Sequence, residues 1–205
     1  MKNLLIFNFW LFAMFSSVMS FSSCSKNNVE TPILSDQEKA TLRFMREEEK
    51  LARDVYTYFH TKYGLSIFGN ITSSEQTHMD AVLAVMAKYG VEDPASSLKG
   101  VFNNPNLQKL YSELIAKGEA SLSEALIAGA TIEDVDIKDL NEGLAATSNV
   151  DLKILYEKLK CGSRNHMRAF ISQLGFQQKT YSPQFISKEL YNEIISGNHE
   201  PCGRM

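Results

Sequence analysis

An all-α fold, a four-helix bundle with a long crossover between its second and third helices, is predicted by three observations. Beyond residue 35 apolar side chains recur at helical spacings, and no stretch alternates with period two. Two Ser-x-x-Glu capping boxes, Ser35/Glu38 and Ser121/Glu124, open long periodic segments. Gly and Asn breaks then separate long helical segments from short ones. The 205 residues, 44% hydrophobic, suffice for one domain with its own core. With 24 acids against 21 bases the chain lacks the basic field of a nucleic-acid binder. Its 11 Gly and 5 Pro exclude collagenous and low-complexity classes, and 3 Cys are too few for a disulfide framework.

The first 23 residues differ from the rest. Lys2 is their one charge, followed by Leu4-Leu5-Ile6-Phe7 and Trp10 to Phe15, and the run is short for a membrane span of about 20 residues. This reads as a secretory signal over 1–23. It ends Phe21-Ser22-Ser23-Cys24, which resembles the lipobox of bacterial lipoproteins, departing from it at Phe21 where Leu is usual. That resemblance implies lipidation of Cys24, a tether over 24–34, and an exported domain anchored to a membrane of the cell envelope. A plain signal peptide with Cys24 incidental is the alternative. In an oxidising compartment Cys161 and Cys202 could pair, or Cys161 could stay a buried free thiol.

The bundle is expected over 35–176. Its first helix runs from Ser35 to about His60, stopped near Gly64, with the inner stripe Leu42, Met45, Glu48, Ala52, Val55, Phe59. Ser73 or Ser74 is expected to cap the second helix, with the stripe Glu75, His78, Val82, Val85, Tyr89, ending before Gly90. The crossover passes Asp93-Pro94 and Asn104-Pro105 and holds a short helix around Leu107 to Ala116. Ser121 starts the third long helix, with Leu122, Leu126, Gly129, Glu133, Asp136, Leu140 and Leu144 inward. After a break at Thr147-Asn149 the fourth carries Leu152, Leu155, Leu159, Gly162, His166 and Phe170, and Gly175 ends it. The tail over 177–205 adds a helix from Lys188 to Ile195 capped by Ser187.

The informative residues are ionisable groups on these apolar stripes, because burying a lone charge is costly. Glu47 and Glu49 have basic residues at helical spacing and read as surface pairs. Glu48 has Phe44, Met45, Leu51 and Ala52 there instead, and reads as inward. Glu75 and His78 lie one turn apart on one face, as do Glu133 and Asp136, and His166 shares the stripe of the fourth helix. Each alone has an ordinary structural reading: an edge Glu reaching solvent, a hydrogen-bonded core His, or Asp136 paired with Arg164 or Arg168. Together, four carboxylates and two imidazoles on four inner faces match the charge of two divalent ions. Counted along the helices from the Thr147–Asn149 turn, the acids of helix three and His166 differ by roughly one to one and a half turns at about 1.5 Å rise per residue, a gap that side chains span. Oxygen and imidazole donors without thiolate suit iron, with manganese as the alternative.

Four segments carry a family resemblance: Met45-Arg46-Glu47-Glu48-Glu49-Lys50-Leu51-Ala52-Arg53-Asp54-Val55-Tyr56, Ser74-Glu75-Gln76-Thr77-His78-Met79, Ile132-Glu133-Asp134-Val135-Asp136-Ile137, and Gly162-Ser163-Arg164-Asn165-His166-Met167-Arg168-Ala169-Phe170. In this order they resemble the bacterial and archaeal "domain of unknown function 2202" family over roughly residues 38 to 195, a family placed in the ferritin-like superfamily. The resemblance implies a ferritin-like four-helix bundle with a di-metal centre. The ferritin-like pattern sets one Glu on each of two helices and Glu-x-x-His on each of the others. This sequence departs from it on the fourth helix, where Ser163 stands three before His166, and Asp136 is the expected replacement. The expected metal ligands are therefore Glu48, Glu75, His78, Glu133, Asp136 and His166. Tyr56, two turns beyond Glu48, reads as a core tyrosine or as a hydrogen-bonding neighbour of the centre.

Such a centre implies an oxidoreductase of ferroxidase or peroxidase type, acting on ferrous iron, peroxide or another substrate. No Cys-x-x-Cys provides an electron-transfer module, so electrons would come from a separate donor. The other reading, of a different class, is a non-catalytic surface lipoprotein that binds metal or a partner. The expected partner is the membrane, through Cys24, with no nucleic acid; the pattern is compatible with a dimer.

Overall fold

The computed structural model describes residues 33–203. The expected signal segment, Cys24 and most of the tether lie outside the described residues. Six helices run in order: α1 Asp36–Tyr63, α2 Ser66–Lys88, α3 Pro105–Gly118, α4 Leu122–Ala146, α5 Val150–Phe176 and α6 Lys188–Ser196. Among the described residues there is no strand, and no helix is long and apolar enough to cross a membrane.

Most boundaries follow from capping chemistry. Ser35 Oγ accepts from Glu38 N at 3.2 Å while Glu38 Oε2 accepts from Ser35 N at 2.9 Å, so the capping box opens α1. Gly64 closes it in the left-handed region at φ 66°, a conformation that costs Gly nothing. Asn104 caps α3 with Pro105 next to it, and Ser121, Asn149 and Ser187 cap α4, α5 and α6. α2 departs from expectation by starting at Ser66, with Leu65 offering no side-chain cap. Burial of Phe68 and Ile71 takes the place of capping there, at about 1.5–3 kcal/mol for a fully buried large side chain. Ser73, expected to cap, lies inside the helix and donates to the Gly69 carbonyl at 3.2 Å. Gly175 does not end α5 either; it lies within the helix, and the chain turns at Gln178, φ 53°.

α1 packs along α2 and α4 along α5, with further contacts of α1 on α4 and α2 on α5. The crossover helix α3 packs on α4 and α1, and α6 packs on α5. This helical bundle is compatible with the expected four long helices plus a crossover helix. Its apolar interior forms two clusters. One is aromatic, around Tyr56, Phe59, Phe68 and Phe170; the other is aliphatic, around Leu42, Val82, Leu140, Leu155 and Leu159. On every long helix the ionisable groups fall where one cluster gives way to the other: Glu48 and Glu49 between Met45 and Leu51, and Glu75 and His78 between Ile71 and Val82. On α4 and α5 the same holds for Glu133 and Asp136 between Ile132 and Leu140, and for His166 between Leu159 and Met167.

Candidate metal centre

Glu75 is the middle of this polar layer. Its Oε2 lies 2.8 Å from His78 Nδ1 and its Oε1 lies 2.9 Å from His166 Nδ1. One turn of α2 brings Glu75 and His78 onto a single face, and α5 supplies His166 from the opposite side. The two imidazoles stack with centroids 5.5 Å apart. Glu49 Oε2 is 3.1 Å from His78 Nδ1, and Glu133 Oε2 is 3.5 Å from His166 Nδ1. Among the described residues, two trios therefore have ligand atoms all within 4.8 Å of one another: Glu49, Glu75 and His78, and Glu75, Glu133 and His166.

The surroundings orient these groups. Tyr56 donates to Glu133 Oε1 at 2.5 Å, and Ser74 Oγ lies 3.0 Å from His166 Nε2. Gly162 leaves room for the His78 ring: a Cβ there would stand 2.6 Å from its Cε1 and Nε2. A cavity of about 460 Å³ opens onto both imidazoles, walled on one side by the tail from His199 to Gly203. That tail is held by the Cys161–Cys202 disulfide and by Glu200, which pairs with Arg164 and Arg168. The two arginines that the sequence offers as partners for Asp136 are thus engaged elsewhere.

Glu75, His78, Glu133 and His166, all expected ligands, are brought together. Glu48 and Asp136 stand outside both trios, and the α1 position is taken by Glu49. Glu48 faces Asp136, Asp139 and Glu49. Asp136 accepts from Ser163, which stands three residues before His166, where the expected pattern has Glu. The reading of Glu47 and Glu49 as surface pairs is corrected, because both are buried. The crossover covers that side of α1: Arg46 binds Asp93, Lys50 donates to the Leu98 and Val101 carbonyls, and Glu47 accepts from the Asn103 and Asn104 amides. The sequence does carry a signal for Glu49, since Met45, Glu49, Ala52, Tyr56 and Phe59 form a stripe of equally helical spacing. Ser74 carries none, because its place before Glu75 suggests a helix cap and not a partner for an imidazole on α5.

Electrostatics separate these groups sharply. Burial opposes ionisation of Glu75, yet the His166 and His78 imidazoliums outweigh it and hold its carboxyl below the usual range. Burial likewise opposes charge on His166, but Glu75 and Glu133 push it up to about 10, and Glu49 and Glu75 raise His78 in the same way. Burial raises Glu49 to about 7 against the pull of His78. Burial and neighbouring acids hold Asp136 and Glu48 well above the carboxylate range. Protons thus balance the charge of the layer. Glu49 Oε1 and Asp136 Oδ1 are nevertheless buried without a hydrogen-bond partner. Buried donors and acceptors are seldom left so, and lone pairs converging on common points are what a metal ion requires. Oxygen and imidazole donors with no thiolate fit an ion of the iron or manganese type; Cys161 is committed to its disulfide.

The sequence matches the family model described as an uncharacterized protein domain, DUF2202, over residues 38–198. The chain belongs to the DUF2202 family. An uncharacterized protein of Methanocaldococcus jannaschii, MJ0754, is 52% identical over 168 residues, which cover 82% of this chain and 91% of the relative. The crystal structure of that hypothetical protein superposes with a TM-score of 0.82 at 51% identity, covering 84% of this chain and 99% of the other. The helical arrangement described above is thus similar to that of a solved relative.

Proposed function

We propose that this DUF2202 protein is a ferritin-like protein that holds a two-ion carboxylate–histidine centre and works as an oxidoreductase on ferrous iron, peroxide or a similar small substrate. The observation that carries the reading is Glu75, whose two oxygens each face a different imidazole within 2.9 Å. One ion would be held by Glu49, Glu75 and His78, the other by Glu75, Glu133 and His166, with Glu75 shared. Iron in such a site supplies one-electron redox cycling and affinity for dioxygen and peroxide. The chain's own groups do the rest. Ser74 and Gly162 set the imidazole orientations, Tyr56 holds Glu133, and the aromatic cluster beneath the layer excludes water on that side. The cavity beside His78 and His166 is the route for ions and small oxidants. The amino-terminal signal, the lipid anchor at Cys24 and the cell-envelope location belong to this reading as proposals from the sequence.

Ferrous iron added to the full chain, followed by peroxide, tests it. The expected outcome is ferric absorption with peroxide consumption, both lost in Glu75→Ala. Tight binding of iron without oxidation would instead favour a metal-binding module, and oxidation undiminished in Glu75→Ala contradicts the assignment of the centre.

A further inference from the structure

The cavity that opens onto His78 and His166 has walls of two kinds. Ser74 and Thr77 stand on α2, and Lys158, Gly162 and Asn165 on α5, so these sides are packed helices with little freedom to move. The remaining wall, His199 to Gly203, lies in no helix, and none of its residues is buried. Two points fasten it to α5. At the first, the Glu200 carboxylate pairs with Arg164 and Arg168, while Asn165 Oδ1 accepts the Glu200 amide at 2.9 Å and Asn165 Nδ2 donates to the Glu200 carbonyl at 3.0 Å. At the second, Cys202 is joined to Cys161, and the Asn165 amide donates to Cys202 Sγ at 3.2 Å. Cys161 directly precedes Gly162, where the α5 backbone meets the His78 ring, so the covalent fastening stands beside the imidazoles. Those rings are 4% exposed for His78 and 8% for His166, which leaves a group from solvent little of either to reach while the wall is in place.

We propose that the Cys161–Cys202 disulfide is a redox site that latches this cavity, and that an external dithiol reductant opens it and so admits ions and small oxidants to the imidazoles. The inference rests on the metal-centre reading for the use of the opening, and not for the movement itself. Cys202, the half-buried partner, is the sulfur a reductant can reach, whereas Cys161 is 9% exposed. A thiolate of the reductant attacks Cys202 Sγ and Cys161 leaves; the second thiol of the reductant then displaces Cys202. The protein's S–S bond is thereby broken, two thiols form on the chain, and the reductant departs as its own disulfide. Two electrons and two protons have passed to the protein. The bonds of Glu200 are untouched by this exchange, so Glu200 becomes the pivot about which Pro201 to Gly203 swing away from α5. Peroxide reverses the change, because two thiols and one hydrogen peroxide give the disulfide and two waters. The latch therefore closes when oxidant is in excess and opens when thiol reductant is.

Carbethoxylation of histidines by diethyl pyrocarbonate, mapped by peptide mass in the metal-free full chain at one fixed pH, tests the latch without relying on bound metal. The disulfide form is compared with the dithiothreitol-reduced form and with Cys202→Ser, and the exposed His60 on α1 is the internal reference. The expected result is a several-fold faster modification of His78 and His166 in the reduced protein and in Cys202→Ser, with His60 unchanged. Extraction of manganese(II) by a chelator should accelerate in the same two forms. Equal rates at His78 and His166 in all forms overturn the latch and show the disulfide to be a structural clasp, whether or not metal binds. A disulfide that dithiothreitol leaves intact in the folded chain overturns it as well. Faster modification of both histidines in a protein that binds no manganese supports the latch and overturns the metal-centre reading alone.

Discussion

At the residue scale, the adjacent pair Glu48 and Glu49 shows what decides whether a buried acid serves a site. Their sequence neighbours are almost shared, yet Glu49 meets an imidazole and Glu48 meets only acids. Arg46 and Arg53 flank Glu49 and make Glu48 the better ligand on sequence grounds; the reading fails because those arginines are drawn off by Asp93, Asp54 and Gln76. No local pattern records such long-range partners. The titration of the layer yields a prediction with a definite sign. His166 is raised from 6.5 to about 10, so its stabilising contribution to the metal-free protein is complete below about pH 6.5 and disappears as pH rises through 10. Glu49, raised from 4.5 to about 7, keeps a proton that the unfolded chain has released, which also removes stability as pH rises through that window. The metal-free protein should therefore lose thermal stability steadily from about pH 5 to pH 10. The metal-loaded protein should not, since the ion replaces those protons and binds more tightly as they leave. Unfolding temperatures at pH 6 and pH 9, with chelator and with manganese, check this; parallel curves for the two forms contradict it.

At the element scale, helix identity was legible wherever a cap or a long stripe was present. Ser35, Ser121 and Ser187 open their helices as their side chains suggested. The start of α2 was not legible, because Phe68 and Ile71 stabilise it through tertiary burial and its hydroxyl residues bond back to helix carbonyls. The covered side of α1 was hidden for a similar reason: the crossover that shields Arg46 to Lys50 is far away in sequence. Close helix approach at the layer can be tested at Gly162. Alanine there places Cβ 2.6 Å from the His78 ring, an overpacking that should cost about 1–3 kcal/mol and turn the imidazole away from Glu75. Gly175, on the same helix, has nothing within 4 Å of the corresponding position, so Gly175→Ala is the control. Chemical denaturation and metal titration of the two variants should show loss of both stability and affinity in the first alone.

At the scale of the whole molecule, a charge excess that looked unremarkable in composition resolves into surface acids and a buried layer. Glu48, Glu49, Glu75, Glu133 and Asp136 are all at most 6% exposed, set between two apolar clusters and reached through the cavity beside the disulfide-held tail. Four of the six expected ligands, Glu75, His78, Glu133 and His166, belong to the two trios. The sharing of Glu75 between them was not legible, because it depends on the relative heights of α2 and α5. That sharing is the central claim, and anomalous diffraction from crystals of the full chain soaked in ferrous or manganous salt tests it most directly. Two peaks are predicted, one contacting Glu49, Glu75 and His78 and the other contacting Glu75, Glu133 and His166. Metal bound elsewhere, with both imidazoles still paired directly with Glu75 at the distances seen here, would contradict it.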